Sequence, residues 1–321
     1  MMWPLVSAFV ILSAQQPAAP PERVLDEAIG IQVALDRAGF SSGVIDGRMG
    51  ANTLRARDAY RRQHGSDPAA FPEPLVEYRI TSADVAGPFA PDIPSDLMAQ
   101  SRLPALAYRS PAELLAERFH TTPEVLRRLN PSARFEEGTL LLVPNVEPLT
   151  IPAPESSTGA TASEPHPTGT AGRTDGPGAP GAEKAEVVVQ VSRSTRTLTV
   201  TSAGGKIVFF APVTTGSEND PLPLGEWKVN GVQYSPTFRY NPDLFWDADP
   251  SHTKATIPPG PNGPVGLVWI DISKEHYGLH GTPEPALIGR AESHGCVRLT
   301  NWDALRLAAL VRPGTRVIFA E

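Results

Sequence analysis

One thiol and two imidazoles lie close together in the sequence, at His280, His294 and Cys296. A free thiol is mostly protonated at pH 7, and a neighbouring imidazole can take its proton and stabilise the thiolate as an ion pair. Cys296 is the single cysteine of the chain, so it forms no internal disulfide and supplies no cysteine-rich zinc site. The spacing favours nucleophilic catalysis by Cys296, with a buried structural cysteine as the alternative. It does not decide which histidine is the base.

The residues around these groups form two longer motifs. The tripeptide His280-Gly281-Thr282 comes first, and the segment Ser293-His294-Gly295-Cys296-Val297-Arg298 follows it, with Asn301 shortly after. In this order the motifs closely resemble the L,D-transpeptidase family, whose catalytic part is the YkuD domain. The resemblance covers about 186–320 and includes two upstream segments, 224–229 and 262–266. Leu224 stands where the family usually has Thr, and Gly263 where it has Pro, which leaves the substrate subtype open.

The resemblance implies roles for individual residues. Cys296 would be the nucleophile, and His280 the proton donor and acceptor, with its other ring nitrogen oriented by a backbone carbonyl near Gly281. Arg298 would hold a substrate carboxylate through a forked pair of hydrogen bonds, with a loop-stabilising salt bridge as the alternative. The loop and its backbone amides, which could bind the oxyanion, are assigned to Gly281, His294 and Gly295. Ser293 and Asn301 are candidates for substrate binding, although they are better suited to stabilising the loop and capping the helix.

The same resemblance implies a reaction in two steps. The Cys296 thiolate would attack the bond between meso-diaminopimelate and D-Ala in a stem tetrapeptide of peptidoglycan and release D-Ala. An amine would then attack the thioester, either from another diaminopimelate, giving a 3→3 cross-link, or from the lysine of an outer-membrane lipoprotein. With water as acceptor, the protein would be a carboxypeptidase or an endopeptidase. No metal or cofactor is needed, and carbapenem-type β-lactams should acylate Cys296. The alternative from another class of protein is a catalytically inactive scaffold that binds the cell wall.

The elements that must position these residues are mostly strands. From residue 185 onward the apolar residues follow a period of two, which predicts strands. The predicted strands are 187–191, 198–200, 207–213, 225–232, 266–272 and 316–320. One helix is predicted over 302–311, capped by Asn301 and stopped by Pro313 and Gly314. We therefore expect 185–321 to be a mostly-β catalytic domain, a sandwich or a partly open barrel with one C-terminal helix.

Two small modules are predicted before this domain. Residues 22–66 have helical periodicity, and the positions of Gln32, Gly39, Asp46 and Thr53 resemble the helical peptidoglycan-binding module; a helix-turn-helix without a ligand is the alternative. Asn52 is expected to cap the second helix. Residues 104–146 resemble a LysM glycan-binding module, with a first strand near 106–108, helices capped by Ser110 and Thr122, and a last strand at 138–144. A helical spacer is the alternative.

The remaining segments are connections and a leader. Residues 67–103 are predicted to be an extended connection, and 147–184, rich in Pro, Gly, Ala, Ser and Thr, a disordered linker that joins the modules flexibly to the enzyme. The apolar run within 1–19 favours a signal peptide and export to the periplasm or cell envelope, although no Lys or Arg precedes it. The formal net charge of −7 argues against nucleic acid as a partner.

Overall fold

A computed structural model describes residues 21–152 and 186–321. The predicted signal peptide over 1–19 and the predicted linker beyond residue 152 lie outside this range. Within it, no helix combines the length and the apolar character needed to span a membrane.

The N-terminal part, 21–152, combines short helices with one pair of strands. Its elements are α1 (Pro21–Arg37), α2 (Ala51–His64), β1 (Leu75–Arg79), α3 (Ser82–Val85), α4 (Leu97–Gln100), α5 (Pro111–Arg118), α6 (Pro123–Leu129) and β2 (Leu140–Pro144). Strands β1 and β2 are antiparallel, with Leu75 opposite Pro144. The pair and the helices enclose a core around Leu115, Leu126 and Leu141.

The position of β1 differs from the sequence prediction. We expected a first strand near 106–108 and an extended connection over 67–103, but the strand is Leu75–Arg79 and α3 and α4 follow it. None of the β1 residues is fully buried, so the sequence lacks the clear alternation of a core strand. Leu106 is fully buried against the C-terminal part instead, where its N–H donates to the carbonyl of Pro259 at 2.9 Å.

Gln32 fixes the turn between α1 and α2. Its side-chain nitrogen donates to Asp46 Oδ1 at 3.0 Å and to Thr53 Oγ1 at 3.1 Å. Its side-chain oxygen accepts the backbone N–H groups of Asp46 and Gly47. These bonds give a structural reason for the spacing of Gln32, Asp46 and Thr53 in the sequence, because the three side chains together close one buried turn.

The predicted helix caps are only partly correct. Ser110 and Thr122 cap α5 and α6, since each hydroxyl accepts a backbone N–H of the helix that it precedes. Asn52 does not cap α2, because the N-cap residue is Gly50. Asn52 lies inside the helix and donates to the carbonyl of Ile288 in the C-terminal part at 2.9 Å. A polar residue near a helix start can thus be used for a contact between distant segments, which local sequence does not reveal.

The C-terminal part is mostly β, as predicted. Its elements are β3 (Val187–Ser192), β4 (Thr197–Ser202), β5 (Ile207–Pro212), β6 (Gly225–Tyr234), β7 (Phe238–Tyr240), β8 (Ala255–Ile257), β9 (Val268–Ile272), β10 (Gly278–His280), β11 (Val297–Arg298), α7 (Asn301–Leu310) and β12 (Arg316–Ala320). Eight strands form one curled sheet in the order β11-β10-β9-β6-β12-β3-β4-β5. Strands β7 and β8 form a separate antiparallel pair.

Helix α7 packs against this sheet and joins its core. Ala304, Leu307 and Ala308 are buried together with the inward-facing residues of the strands. The predicted cap of this helix is wrong by one position: the Thr300 hydroxyl accepts the N–H of Asp303 and is the N-cap. Asn301 is the first helical residue and is fully buried, so its side chain is available for contacts within the core.

The N-terminal part packs onto α7 through buried polar groups. Asp36 accepts hydrogen bonds from Arg306 at 2.8 and 3.0 Å and from His120 Nδ1 at 3.0 Å. Burial raises the pKa of Asp36, but His120 and Arg306 together hold it below its usual range. The His120 ring also stacks on Trp302, with centroids 5.3 Å apart. The expectation of flexibly joined modules is therefore wrong for residues 21–152, which form one packed unit with the C-terminal part.

This interface generates a prediction about stability. Asp36→Ala would leave Arg306 and His120 buried without their acceptor, and breaking a buried pair from one side costs about 3 kcal/mol. The free energy of unfolding, measured from urea transitions by tryptophan fluorescence, should fall by about that amount. Asp58→Ala is the matched control, because its pair with Arg61 is exposed and should contribute less than about 0.5 kcal/mol. If both variants lose the same small amount of unfolding free energy, the buried Asp36 interface does not stabilise the protein as described.

Candidate active site

The pairing of β10 with β11 brings the predicted site residues together. The two strands are parallel, with His280 opposite Arg298 and Leu279 opposite Val297. Directly paired residues of a sheet point to the same face, and so do residues two apart along one strand. His280, Arg298 and Cys296 therefore share one face of the sheet edge, while Leu279 and Val297 point into the core.

His280 is held in one orientation by the backbone. Its Nδ1 lies 2.7 Å from the carbonyl oxygen of Gly281, and its ring stacks on Trp269 of β9 with centroids 5.5 Å apart. The expected carbonyl near Gly281 is thus confirmed as the partner. Because a carbonyl can only accept, Nδ1 carries the proton and Nε2 is the nitrogen left to bind another. Burial and the charge of Arg298 lower the pKa of His280 to about 3, against the effect of the Gly281 carbonyl.

Cys296 is half-buried at the entrance to β11. Its Sγ lies 3.8 Å from the carbonyl oxygen of His276. Burial raises the pKa of the Cys296 thiol, whereas the backbone of Gly278 and the charge of Arg298 lower it by less. With the imidazole of His280 also kept neutral, the resting site holds a neutral thiol and a neutral base. The ion pair that the sequence suggested is not the state that this environment favours.

The loop before Cys296 is shaped by Ser293 and Gly295. The Ser293 hydroxyl donates to the carbonyl of Cys296 at 2.7 Å and is buried, so it stabilises the loop and is not exposed to a substrate. Gly295 has φ +95°, and a Cβ there would lie 2.5 Å from the ring of Tyr277. Within the described part of the chain, the backbone N–H groups of residues 294–296 have no hydrogen-bond acceptor. These amides can therefore receive an oxyanion.

Asn301 supports the loop that carries His280 and does not line the site. Its Oδ1 accepts the N–H of Leu267 at 3.0 Å, and its Nδ2 donates to the carbonyl of Pro261 at 3.2 Å. A Cβ on Gly281 would overlap with Asn301 Oδ1, so the two residues are in close contact. The Gly281 N–H donates to Val268 and is not free for an oxyanion. The substrate-binding assignment of Asn301 is wrong because the side chain is fully buried.

The buried face of Asn301 also contacts the N-terminal part. Glu117 of α5 interacts with the Asn301 side chain, and burial raises the pKa of Glu117 to about 8. The carboxyl is therefore mostly protonated at neutral pH, which suits a group buried against an amide. The N-terminal part thus reaches the residue that supports Gly281.

Arg298 is half-buried and only partly paired. Its buried Nε has no hydrogen-bond partner among residues 21–152 and 186–321, and no carboxylate forms an ion pair with it there. A guanidinium with free donors beside the nucleophile can bind a carboxylate through two parallel hydrogen bonds. The alternative of a loop-stabilising salt bridge finds no partner in the part of the chain that the structure describes.

His294 faces away from the sheet, toward the β7–β8 connection. Its Nε2 lies 2.8 Å from Asp247 Oδ1, and its ring packs against Phe245 and Trp246. Trp246 is 62% exposed. The sequence patterns did not predict this contact, although four aromatic residues mark β7 and the connection after it: Phe238, Tyr240, Phe245 and Trp246. His294 thus has a partner outside the motif, whereas His280 is oriented by the backbone with its Nε2 left without a partner among the described residues.

Metal-ligating side chains do not cluster in the described part of the chain. Over the two described ranges, no three His, Cys, Asp or Glu side chains lie close enough to hold a metal ion together. The chemistry that the arrangement itself supplies is that of a thiol, an oriented imidazole, free backbone amides and an arginine. Such a set is suited to acyl transfer through a thioester.

Comparison with known proteins agrees with this class of site. Residues 186–319 match the YkuD family, the L,D-transpeptidase catalytic domain. The chain is 33% identical over 141 residues to a Bacillus subtilis protein named "Putative L,D-transpeptidase YkuD", covering 44% of this chain and 70% of that protein. The chain belongs to the L,D-transpeptidase family.

Two further similarities are shorter or more distant. A Bacillus licheniformis protein with the same printed name is 54% identical over 59 residues, which are 18% of this chain and 36% of that protein. The solved structure of an L,D-transpeptidase from Mycobacterium smegmatis is 22% identical with a TM-score of 0.35, over 42% of this chain and 58% of the other. The chain thus spans about a third of the length of the Bacillus licheniformis protein and over half of the length of the Mycobacterium smegmatis structure.

The protonation state of the thiol generates a second prediction. Because the pKa of Cys296 is raised, the thiolate fraction should be small at neutral pH and should grow about tenfold per pH unit up to that pKa. Alkylation by iodoacetamide, followed by mass spectrometry of the intact chain, should therefore be slow at pH 7 and accelerate above pH 8. A fast rate that stays constant between pH 5 and pH 8 would indicate a resting ion pair and refute the neutral site.

Proposed function

We propose that the protein is a cysteine-dependent L,D-transpeptidase of the bacterial cell wall, with Cys296 as nucleophile and His280 as general base and acid. The observation that carries the proposal is the placement of Cys296, His280 and Arg298 on one face of the β10–β11 pair. The hydrogen bond from His280 Nδ1 to Gly281 supports it further, because it leaves Nε2 as the atom that can take the thiol proton.

The first step forms a thioester. Cys296 Sγ attacks the carbonyl between meso-diaminopimelate and D-Ala while its proton passes to His280 Nε2. The carbonyl oxygen becomes an oxyanion, which the N–H groups of residues 294–296 stabilise. As the intermediate collapses, the carbon–nitrogen bond breaks and His280 Nε2 returns the proton to the leaving amine of D-Ala. The imidazole is charged only while the oxyanion exists, so the resting site needs no buried ion pair.

The second step regenerates the thiol. An acceptor amine gives a proton to His280 Nε2 and attacks the thioester carbon, after which the carbon–sulfur bond breaks and Cys296 recovers its proton. An amine of another diaminopimelate gives a 3→3 cross-link, and the lysine of an outer-membrane lipoprotein gives a wall-bound protein. Water in the same place gives carboxypeptidase or endopeptidase products. The first of these acceptors is the one that we propose.

Arg298 is proposed to bind a carboxylate of the donor stem peptide. Its unpartnered Nε supports this role, because a buried guanidinium gains most from a charged, bidentate partner. The exposed ring of Trp246 and the His294–Asp247 contact adjoin the nucleophile loop. We propose that they cover the bound peptide and limit the access of water to the thioester.

The N-terminal part is proposed to bind the wall. The antiparallel pairing of β1 with β2, with α5 and α6 directly before β2, supports a LysM-like module whose first strand is β1 and in which α3 and α4 are inserted after that strand. The turn held by Gln32 supports the peptidoglycan-binding resemblance. Export to the periplasm or cell envelope, through the predicted signal peptide over 1–19, follows from a substrate outside the cytoplasm. Because both modules pack on the enzyme part, wall binding would place the active site at a fixed position on the polymer.

The proposal is tested with purified peptidoglycan sacculi. The wild-type protein should release D-Ala and produce 3→3 linked dimers, detected by mass spectrometry of the digested wall. Cys296→Ala should give no product, and His280→Ala should form the thioester about 10²–10⁴ times more slowly, which is the usual contribution of an acid–base group. His64→Ala is the control, since His64 stacks on Tyr60 in α2 and lies outside the site.

The products also decide between the alternatives. If trimmed stem peptides form without dimers, the protein is a hydrolase and not a cross-linking enzyme. If carbapenem-type β-lactams fail to acylate Cys296 and no product forms, the protein is an inactive scaffold and the proposal is wrong.

A further inference from the structure

A second concave site lies where two segments of the N-terminal part, 42–53 and 122–128, meet the C-terminal part. It is a cavity of about 440 Å³ whose walls come from the α1–α2 turn and start of α2, from α6, and from residues 285–290 of the C-terminal part. Cys296, His280 and Arg298 do not line it. Its third wall belongs to the segment that joins the His280 motif to the nucleophile loop, so the cavity is next to the active site in the chain but separate from it.

The cavity is cationic in an otherwise acidic protein. Four arginines and two carboxylates line it: Arg48, Arg127, Arg128, Arg290, Asp46 and Glu124. The whole chain carries a formal net charge of −7, so this concentration of arginines is a local feature. Arg128 donates to the backbone carbonyl of Asp46 at 2.7 Å. The side chains of Arg48, Arg127 and Arg290 are exposed and have no hydrogen bond or ion pair to any residue that the structure describes.

The walls of the cavity are fixed relative to one another. Gln32 holds the turn that carries Asp46 and Arg48, and Asn52 bonds to Ile288 across the junction. Ser42 also lines the cavity; it is 3% exposed, and its hydroxyl has no partner within the described ranges. A buried hydroxyl normally has a hydrogen-bond partner, so this one points to a ligand that would provide it.

A further pair of arginines adds to the positive field beside the cavity. Arg55 donates to Asn52 Oδ1 at 2.9 Å, and Arg196 to the carbonyl of Gly289 at 3.4 Å. Both acceptors adjoin cavity-lining residues. Burial and the charge of Arg196 lower the pKa of Arg55, which means that the two guanidinium groups repel each other.

We propose that the cavity binds a second stem peptide of the wall polymer through its carboxylates, outside the site where Cys296 reacts. The inference rests on the proposed function, because a stem tetrapeptide with meso-diaminopimelate and D-Ala carries several carboxylates and a free amine. Arginine forks match carboxylates, and Asp46 and Glu124 are suited to the amine. A protein that joins two stem peptides gains from a second site that holds a neighbouring strand on the same molecule.

The test compares two triple variants of the full chain that remove equal charge. Arg48→Gln, Arg127→Gln and Arg290→Gln change the cavity, one arginine in each wall. Arg193→Gln, Lys206→Gln and Arg316→Gln change exposed basic residues of the C-terminal part that do not line it. Both sets are placed in the Cys296→Ala background to prevent turnover, and binding to purified sacculi is measured by co-sedimentation. The cavity variant should bind about tenfold more weakly, since a bond to a charged group contributes at least that factor.

A second measurement, with chemically modified sacculi, identifies the group that the cavity binds. Sacculi whose carboxylates have been converted to amides should bind both triple variants equally. If the cavity variant binds untreated sacculi as tightly as the control variant, the cavity is not a binding site. If its loss persists on amidated sacculi, the ligand is not a carboxylate. Either result overturns the inference.

The failure of this inference can be told from the failure of the proposed function. In the chain with Cys296 intact, a carbapenem-type β-lactam should acylate wild type and cavity variant equally, because it does not need the cavity. If acylation is normal and sacculus binding is unaffected by the cavity variant, only the second site is wrong. If wild type is not acylated, the proposed function itself fails. Equal urea midpoints for the two triple variants establish that both are folded.

Discussion

The hydrogen bond from His280 Nδ1 to the Gly281 carbonyl is the constraint on which the rest of the site depends. A 2.7 Å bond to a carbonyl fixes the tautomer, and therefore makes Nε2 the basic nitrogen. The carbonyl is in turn held in place because Gly281 lies against the buried side chain of Asn301. Without a glycine at 281 and an asparagine at 301, the imidazole would lose both its orientation and its tautomer.

Asn301 links this constraint to the whole molecule. It begins α7, the helix onto which the N-terminal part packs through Asp36 and His120, and its side chain contacts Glu117 of α5. The active-site backbone is thus supported from the core side by residues of the N-terminal part. This explains why the N-terminal part is not independent of the C-terminal part, and why the cavity between them keeps a fixed shape.

Burial of the catalytic pair has a chemical consequence. It raises the pKa of Cys296 and lowers that of His280, so the charged forms of both groups are disfavoured before a substrate arrives. In the reaction that we propose, charge develops only as the oxyanion forms near the free amides of residues 294–296, where it can be stabilised. A resting thiol is also less easily alkylated or oxidised than a thiolate, an advantage for the single cysteine of a protein that we propose to be exported.

The sequence allowed prediction of those features that are local or repeated along the chain. The strands of the C-terminal part follow from alternating valines and threonines, and the juxtaposition of Cys296, His280 and Arg298 from motifs on two short strands. Contacts between distant segments were not predictable. Asn52 and Asn301 were interpreted as caps because both stand near helix starts, yet both bond to residues far away in the chain. Strand β1 lacks a buried face, and the partner of His294 lies in a loop without periodicity.

The central claim is that His280 is a neutral base with its proton on Nδ1, and nitrogen NMR of the histidine rings tests it most directly. In protein labelled with ¹⁵N-histidine, assigned by comparison with His280→Ala, the account predicts a protonated Nδ1 and a bare Nε2 at pH 7. Because the pKa of His280 is lowered to about 3, these two resonances should not titrate between pH 7 and pH 5. An imidazolium at pH 7, a proton on Nε2, or a titration near the ordinary pKa of about 6.5 would contradict the account.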